Sequence, residues 1–141
     1  MKKIFKSYVN PQHINGICVP LPIQTNFIRT YCERNKYPLS LPSCEILFLG
    51  NYTMLEKVIR SDATDVLMIS NFLIPSKKFI SDLKNKIELA NKRLHFILER
   101  DVIESRDLLN YIKTKESLNK IASSPKDYSG ILDVWCNQTK E

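Results

Sequence analysis

The chain has 141 residues, a length that suits one ordinary domain with a core of its own. Hydrophobic residues make up 43% of it and charged residues 26%, which excludes a disordered chain and a coiled coil. No run approaches the roughly 20 apolar residues of a membrane helix, and Lys6 and Ser7 interrupt the apolar stretch that a signal peptide needs. We therefore expect a cytoplasmic protein without a membrane span.

The net charge of +6 comes mostly from lysines scattered along the chain. They alternate with Asp, Glu and Asn on the predicted helices, which is typical of a solvated surface. Nucleic-acid binding proteins usually concentrate basic residues on one face and place aromatic residues among them. The charge pattern therefore predicts no specific nucleic-acid partner.

The first predicted elements are a strand and a helix. Residues Lys3–Val9 alternate around apolar positions and predict a strand. A loop leads to a helix over about Pro22–Asn35, with the proline at the first helical position. Gln24 and Arg29 lie off its apolar stripe. The positions that we expect to face the core are Ile23, Phe27, Ile28, Tyr31 and Cys32.

The middle of the chain continues this alternation. Residues 38–50 predict short extended pieces, because two prolines exclude one long strand. A second helix is predicted from a cap at Asn51 to about Arg60, with Glu56 and Arg60 paired on its outer face. The continuous apolar run Asp65–Ser70 predicts a strand buried on both faces. The second helix should bury Leu55, Val58 and Ile59.

Two further helices and one strand complete the prediction. A helix capped by Ser76 is followed by a buried strand at Arg93–Glu99, and a last helix runs from Asp101 or Ser105 to about Ile121. The inward positions of the helix after Ser76 are Phe79, Ile80, Leu83 and Ile87.

This β-α alternation predicts an α/β fold, because parallel strands need crossover helices. We expect a three-layer sandwich whose four-stranded, mainly parallel sheet has the order 2-1-3-4, within one domain over residues 1–121. Residues 122–141 form a tail in which "GILDVW" is an apolar stretch. Such a stretch docks on the core or on a partner subunit, which makes a homodimer a possible state.

Several kinds of chemistry have no motif in this chain. There are three glycines and no G-x-G-x-x-G, P-loop or G-x-S-x-G pattern. His95 lies within a predicted strand, where a core imidazole with a backbone partner is expected. We predict no metal and no cofactor. The four cysteines lack metal-ligand spacing and are expected to be reduced thiols: Cys18, Cys32, Cys44 and Cys136.

Polar residues stand at the predicted strand ends, where ligands of open α/β sheets bind. The candidates for catalysis are Glu45, Ser70 and Glu99. The candidates for ligand binding are Tyr8, Gln24, Arg29, Asn71 and Arg100. Two carboxylates with an arginine would suit a polar sugar or a phosphate. The alternative is that Glu99 and Arg100 merely cap the next helix and that Glu45 is solvated.

Four segments together resemble the sporadic carbohydrate cluster family, small proteins found among surface-polysaccharide genes. They are "VPLPIQTNFIRTYC", "CEILFLGNYTMLEKVI", "DVLMISNFLIPSKK" and "LHFILE", and the resemblance covers roughly residues 3–100. It implies a protein of capsule or O-antigen (lipopolysaccharide) biosynthesis that binds or modifies a phosphorylated or nucleotide-linked sugar. Gln24, Arg29, Glu45, Ser70 and Glu99 match positions of the family pattern.

The same frame is similar, more distantly, to the catalytic domain of serine recombinases, which implies a resolvase/flavodoxin-like fold. The chain keeps Tyr8 and the helix that carries Gln24. Asn10 and Gln12 stand where that family has an arginine and its serine nucleophile. Because a phosphoseryl intermediate needs both groups, strand exchange is not expected.

Two other functions stay open beside the sugar ligand. One is a non-catalytic partner or regulator that docks on a glycan-pathway enzyme. The other is a nucleic-acid binder that keeps a recombinase-like scaffold without its activity. The sequence does not decide whether the protein is an enzyme.

Overall fold

The computed structural model describes residues 2–14, 16–45, 52–74 and 80–122. The chain divides into two units, Met1–Leu108 and Leu109–Glu141, and the whole sheet belongs to the first. This boundary falls before the end of the predicted domain at residue 121. Some predicted features lie outside the described residues: the caps at Asn51 and Ser76, the inward Phe79, Cys136, and the apolar stretch around Trp135.

Within the described part, the sheet has five strands in the order β2-β1-β3-β4-β5. Neighbours among β1 to β4 pair in parallel, and β5 pairs antiparallel with β4. The predicted α/β class with a mainly parallel sheet is confirmed, whereas the strand count and order differ from the prediction because of the fifth strand. The strands are β1 Phe5–Val9, β2 Ser43–Cys44, β3 Asp65–Met68, β4 Arg93–Phe96 and β5 Asp101–Glu104.

The fifth strand corrects the prediction that Asp101 starts a helix. Strand β4 ends at Phe96, three residues earlier than predicted, and a turn reverses the chain. In this turn the Arg100 amide donates to the Ile97 carbonyl oxygen at 3.2 Å, and Arg100 has a left-handed φ of 57°. The turn contains no glycine, so the usual sequence signal of a hairpin is missing.

Four helices are described: α1 Leu21–Asn35, α2 Thr53–Arg60, α3 Ile80–Ala90 and α4 Leu108–Ala122. Proline is the second residue of α1, not the first, and α4 begins after a 3₁₀ turn at Ser105–Asp107. None of the helices in the described ranges has the length and apolar character that crossing a membrane requires.

The buried face of α1 differs from the predicted stripe. Ile23 and Phe27 are 45% and 43% exposed, whereas Gln24 is fully buried together with Ile28 and Cys32. These three residues are spaced by four and therefore share one face of the helix. A polar residue can occupy this face because its amide forms hydrogen bonds there, as described below.

Helix α2 follows the prediction in its body and departs from it at its start. Leu55, Val58 and Ile59 are buried. The Arg60 guanidinium lies 3.0 Å from the carboxylate of Glu56, which confirms the predicted outer pair. The N-cap residue is Tyr52, whose side chain forms no capping hydrogen bond.

Helices α1 and α2 contact β1 through opposite faces of the strand. Phe5 and Val9 pack in one cluster with Ile28 of α1 and Leu67 of β3. Tyr8 points the other way, because side chains alternate along a strand. Its hydroxyl bonds to Glu45, which in turn accepts from an amide at the start of α2. Strand β3 is fully buried at the centre of the sheet, as predicted.

Candidate functional site

Glu45 directly follows β2 and caps the N-terminus of α2. Its Oε1 accepts a hydrogen bond from the Met54 amide at 2.9 Å, and its Oε2 accepts from the Leu55 amide at 3.2 Å. A carboxylate is favourable there because the first amides of a helix lack partners and carry partial positive charge. Glu45 is buried, so the alternative of a solvated side chain is wrong.

Tyr8, Asn10 and Gln24 connect this cap to helix α1. The Tyr8 hydroxyl donates to Glu45 Oε2 at 2.8 Å and accepts from Asn10 Nδ2 at 3.1 Å. The Gln24 amide accepts from the Asn10 backbone at 3.1 Å and donates to the carbonyl oxygens of Asn10 and Val19, each at 2.7 Å.

We call Tyr8, Asn10, Gln24 and Glu45 the buried network. All four residues are buried. Burial, followed by the hydrogen bond to Glu45, raises the pKa of Tyr8 above its usual value, so its phenol stays protonated. The polar groups of the network are engaged with one another and with the backbone, which is the arrangement expected of groups that hold elements in place.

Ser70, Asn71 and Glu99 form a second polar cluster, between the end of β3 and the turn after β4. The Ser70 hydroxyl donates to Glu99 Oε1, which also accepts from the Asn71 amide at 3.3 Å. The Leu98 amide donates to the Ile69 carbonyl oxygen at 2.8 Å. These contacts attach the turn to the end of β3, so Glu99 and Arg100 belong to a hairpin turn and do not cap the next helix.

The two predicted arginines lie at different cavities. Arg29 is exposed at a cavity of about 390 Å³ that is also lined by Ser7 and the segment 39–42. The Ser7 hydroxyl is buried and has no hydrogen-bond partner among the described residues. Arg100 lies at another cavity, which shares no lining residue with the first. The predicted site residues thus fall into two hydrogen-bonded clusters and two separate arginine positions.

The cavity at Arg100 is a groove of about 660 Å³ between α1 and the β4–β5 turn, and we call it the α1 groove. Arg34 and Arg100 line it and are exposed. Neither forms an ion pair with another described residue. The other lining side chains include Asn26, Phe27, Thr30, Tyr31 and Asn35. Arg34 is not among the ligand residues predicted from the sequence, because it lies on the outer side of α1 and not at a strand end.

A third arrangement, which the sequence analysis also missed, joins Asp65, His95 and Tyr31. His95 Nε2 lies 2.8 Å from Asp65 Oδ1, and the Tyr31 hydroxyl lies 2.7 Å from His95 Nδ1. Arg93 and Thr64 contact the same carboxylate, at 3.0 Å and 2.7 Å. His95 therefore bonds to side chains and not to the expected backbone partner. The sequence does contain a signal for this contact, because side chains alternate along paired strands. Positions 65, 67, 93 and 95 therefore share one face of the sheet.

Burial and hydrogen bonds set the charges of this group. Burial lowers the pKa of His95, although the Asp65 carboxylate beside it acts in the opposite direction. Burial would raise the pKa of Asp65, but hydrogen bonds from His95 and Thr64 and the charge of Arg93 outweigh it and lower the pKa. A neutral imidazole therefore donates from Nε2 to an ionised carboxylate, which leaves Nδ1 to accept the Tyr31 proton.

Within the described ranges, no group of His, Cys, Asp and Glu residues is arranged to hold a metal ion. Cys18, Cys32 and Cys44 are free thiols, and burial raises the pKa of Cys32.

Comparisons of the chain with protein-family models, with curated proteins and with solved structures gave no match.

Proposed function

We propose that the α1 groove binds the phosphate groups of a phosphorylated or nucleotide-linked sugar. The observation that carries this proposal is the pair Arg34 and Arg100, two cations without an ion-pair partner in the described chain, at one groove of about 660 Å³. Pockets for small ligands usually measure roughly 300 to 1,000 Å³. Guanidinium groups hold phosphate oxygens through two parallel hydrogen bonds.

The rest of the groove suits the sugar and base parts of such a ligand. Asn26, Thr30 and Asn35 offer amide and hydroxyl groups to sugar hydroxyls, and Phe27 and Tyr31 offer aromatic surface. Phe27 is 43% exposed although it is large and apolar. An aromatic ring beside polar groups at a concave surface is typical of a ligand site.

The predicted site residues at the strand ends take supporting roles in this proposal. Ser70, Asn71 and Glu99 hold the turn that presents Arg100. Tyr8, Gln24 and Glu45 hold the starts of α1 and α2 against the sheet. These assignments follow from their hydrogen bonds, which engage the polar groups of the buried network and join Ser70 and Asn71 to Glu99 Oε1. Glu99 Oε2 is buried without a hydrogen-bond partner among the described residues.

The resemblance to the sporadic carbohydrate cluster family supports the biological process in which this binding takes part. We propose a cytoplasmic protein of surface-polysaccharide biosynthesis, with a three-layer, resolvase/flavodoxin-like frame around its sheet. The sugar phosphates and nucleotide sugars that build capsule or O-antigen carry the anionic groups for which the two arginines are suited.

The test is a calorimetric titration of the full chain with a panel of hexose 1-phosphates and nucleoside diphosphate sugars. We expect Arg34→Ala and Arg100→Ala each to weaken binding about ten- to hundredfold, the usual effect of losing a charge-assisted contact. Arg29→Ala is the matched control, because Arg29 is also exposed but lies outside the groove. Equal losses for all three variants, or a loss for Arg29→Ala alone, would move the site away from the α1 groove.

A second candidate is a non-catalytic partner of a glycan-pathway enzyme. Leu98 and Val102, each 51% exposed, place apolar surface beside Phe27 at the same groove, which favours docking of a protein. Absence of binding for every ligand in the panel would favour this candidate. Tight binding of nucleic acid that resists added salt would favour the third, recombinase-like alternative, because lysine–phosphate contacts weaken steeply with salt.

A further inference from the structure

We propose that Tyr31, His95 and Asp65 form a proton relay through which the Tyr31 hydroxyl activates the water that hydrolyses a nucleotide-linked sugar in the α1 groove. The inference rests on the proposed function, because that ligand brings the reacting bond to Tyr31. It adds a reaction and a catalytic residue to what is otherwise a binding site.

The geometry of the relay has a defined direction. Asp65 is fully buried, and its Oδ1 lies 2.8 Å from His95 Nε2. The lowered pKa of Asp65 keeps it a carboxylate, which only accepts hydrogen bonds, so His95 carries a proton on Nε2. Burial lowers the pKa of His95 and keeps the ring neutral, so Nδ1 presents a lone pair. The Tyr31 hydroxyl, 2.7 Å from Nδ1, therefore donates to His95. Its oxygen keeps lone pairs that can accept a proton from a substrate.

Other contacts hold the relay in place, and one of its three residues lines the α1 groove. Asp65 is fixed by Arg93 at 3.0 Å and by Thr64 at 2.7 Å. The His95 ring meets the rings of Tyr31 and Tyr37 edge-on, with centroids 5.8 Å and 5.9 Å away. His95 is buried, whereas Tyr31 is half-buried and lines the α1 groove. Tyr31 is thus the member of the relay that a ligand in the groove can touch.

The reaction balances without a further reagent. The water oxygen bonds to the anomeric carbon of the sugar as the bond from that carbon to the diphosphate oxygen breaks. The bonding electrons leave with the nucleoside diphosphate, whose charge Arg34 and Arg100 hold. The proton of the water passes to the Tyr31 oxygen while the Tyr31 proton passes to His95 Nδ1. Asp65 stabilises the imidazolium, which later releases a proton to solvent. His95 is thus the general base, Asp65 orients it, and Tyr31 is the group that contacts the water.

The test measures release of nucleoside diphosphate from nucleoside diphosphate sugars by ³¹P NMR, together with ligand affinity. We expect Tyr31→Phe to lower kcat by about a hundredfold or more, with KM changed by less than about threefold, as is typical of a lost general base. Tyr37→Phe is the matched control. The ring centroids of Tyr37 and Tyr31 lie 5.9 Å apart, so this variant removes a neighbouring tyrosine hydroxyl. It should leave kcat unchanged.

A second measurement reports the protonation state of His95 within the relay. The ¹⁵N spectrum of His95 in the folded protein should show Nδ1 unprotonated, with a signal that shifts in Tyr31→Phe but not in Tyr37→Phe. Protonated Nδ1, or equal kcat in the two variants, would overturn the relay. Wild-type protein that binds the nucleotide sugar but releases no diphosphate would overturn the relay alone. Wild-type protein that binds none of these sugars would overturn the proposed function and the relay with it.

Discussion

The buried network and the α1 groove show two uses of polar residues in one small unit. In the network, Tyr8, Asn10, Gln24 and Glu45 bond to one another and to backbone groups and are closed to solvent. In the groove, Arg34 and Arg100 are exposed, with no ion-pair partner in the described part of the chain. Both regions involve α1, which presents Gln24 inward and Arg34 outward.

This difference shows that residue type alone does not identify the ligand-binding residues. Glu45 and Gln24 are the kinds of side chain that bind sugars, and they stand at the edge of the sheet where ligands commonly bind. Their hydrogen bonds are satisfied within the protein, so replacing them should affect folding first. The arginines of the groove are exposed and have no ion-pair partner in the described part of the chain, so replacing them should affect a ligand first.

The largest effect is expected from Glu45→Ala in the network. It removes the acceptor of the Met54 and Leu55 amides and of the Tyr8 hydroxyl, and buried groups without partners cost about 1–3 kcal/mol each. We expect the free energy of unfolding to fall by about 3 kcal/mol, measured by urea denaturation. Glu56→Ala on the outer face of α2 is the control and should cost less than about 1 kcal/mol. Equal costs would mean that the network is not what holds α2.

Arg100→Gly should separate ligand affinity from stability. Glycine adopts the left-handed φ of 57° without a steric cost, whereas a residue with a Cβ pays about 1 kcal/mol there. We expect an unchanged or slightly raised melting temperature and a sugar-phosphate affinity at least about tenfold weaker. A lower melting temperature with unchanged affinity would show that Arg100 stabilises the turn and does not bind the ligand.

A smaller effect should appear in the pH dependence of stability. Because the pKa of His95 is lowered in the folded protein, the unfolded chain binds its proton more readily. The contribution of His95 is fully present above its unfolded pKa of about 6.5 and is lost as pH falls through the folded value. Asp65, whose pKa is also lowered, adds a second loss at more acidic pH.

Melting temperatures between about pH 7.5 and pH 5 measure this slope, which should be flatter in His95→Gln. Val102→Gln, at an exposed position of β5 without a titratable side chain, is the control for the substitution itself. A slope that His95→Gln leaves intact would mean that other groups titrate in this range. Lys3, Asp65 and Arg93 are the charged groups that act on His95.

The smallest change in stability is expected from Arg29→Ala. Arg29 is exposed and off the packed face of α1, so the free energy of unfolding should change by about 0.5 kcal/mol or less. The sequence predicts Arg29 as the anion ligand, whereas the site that we propose, the α1 groove, is lined by Arg34 and Arg100. Phosphate-sugar affinity of Arg29→Ala therefore decides between them: a loss supports the cavity at Ser7, and wild-type affinity supports the groove.

Sequence patterns predicted the parts of the fold that depend on local spacing. The apolar run at residues 65–70 indicated the central strand, and apolar spacing in 53–60 indicated the inward face of α2. The same reasoning failed for Ile23 and Phe27, because an apolar side chain at a surface costs little and Gln24 replaces them on the buried face. It failed for β5, because the turn before that strand uses Arg100 in a conformation that usually marks glycine.

The sequence by itself determined the alternation of strands and helices, and hence the mainly parallel sheet, because periodicity is a local property of the chain. It also placed Ser70 and Asn71 just after the central strand, whereas Glu99 and Arg100, predicted to end a strand, lie in the turn between β4 and β5. Only the tertiary structure decided which polar groups become partners. Glu45 meets the start of α2, and His95 meets Asp65 and Tyr31, through strand register and helix rotation that no short segment encodes. Strand register and helix rotation thus decide which polar side chains are hydrogen-bonded inside the protein and which, like Arg34 and Arg100, stay exposed.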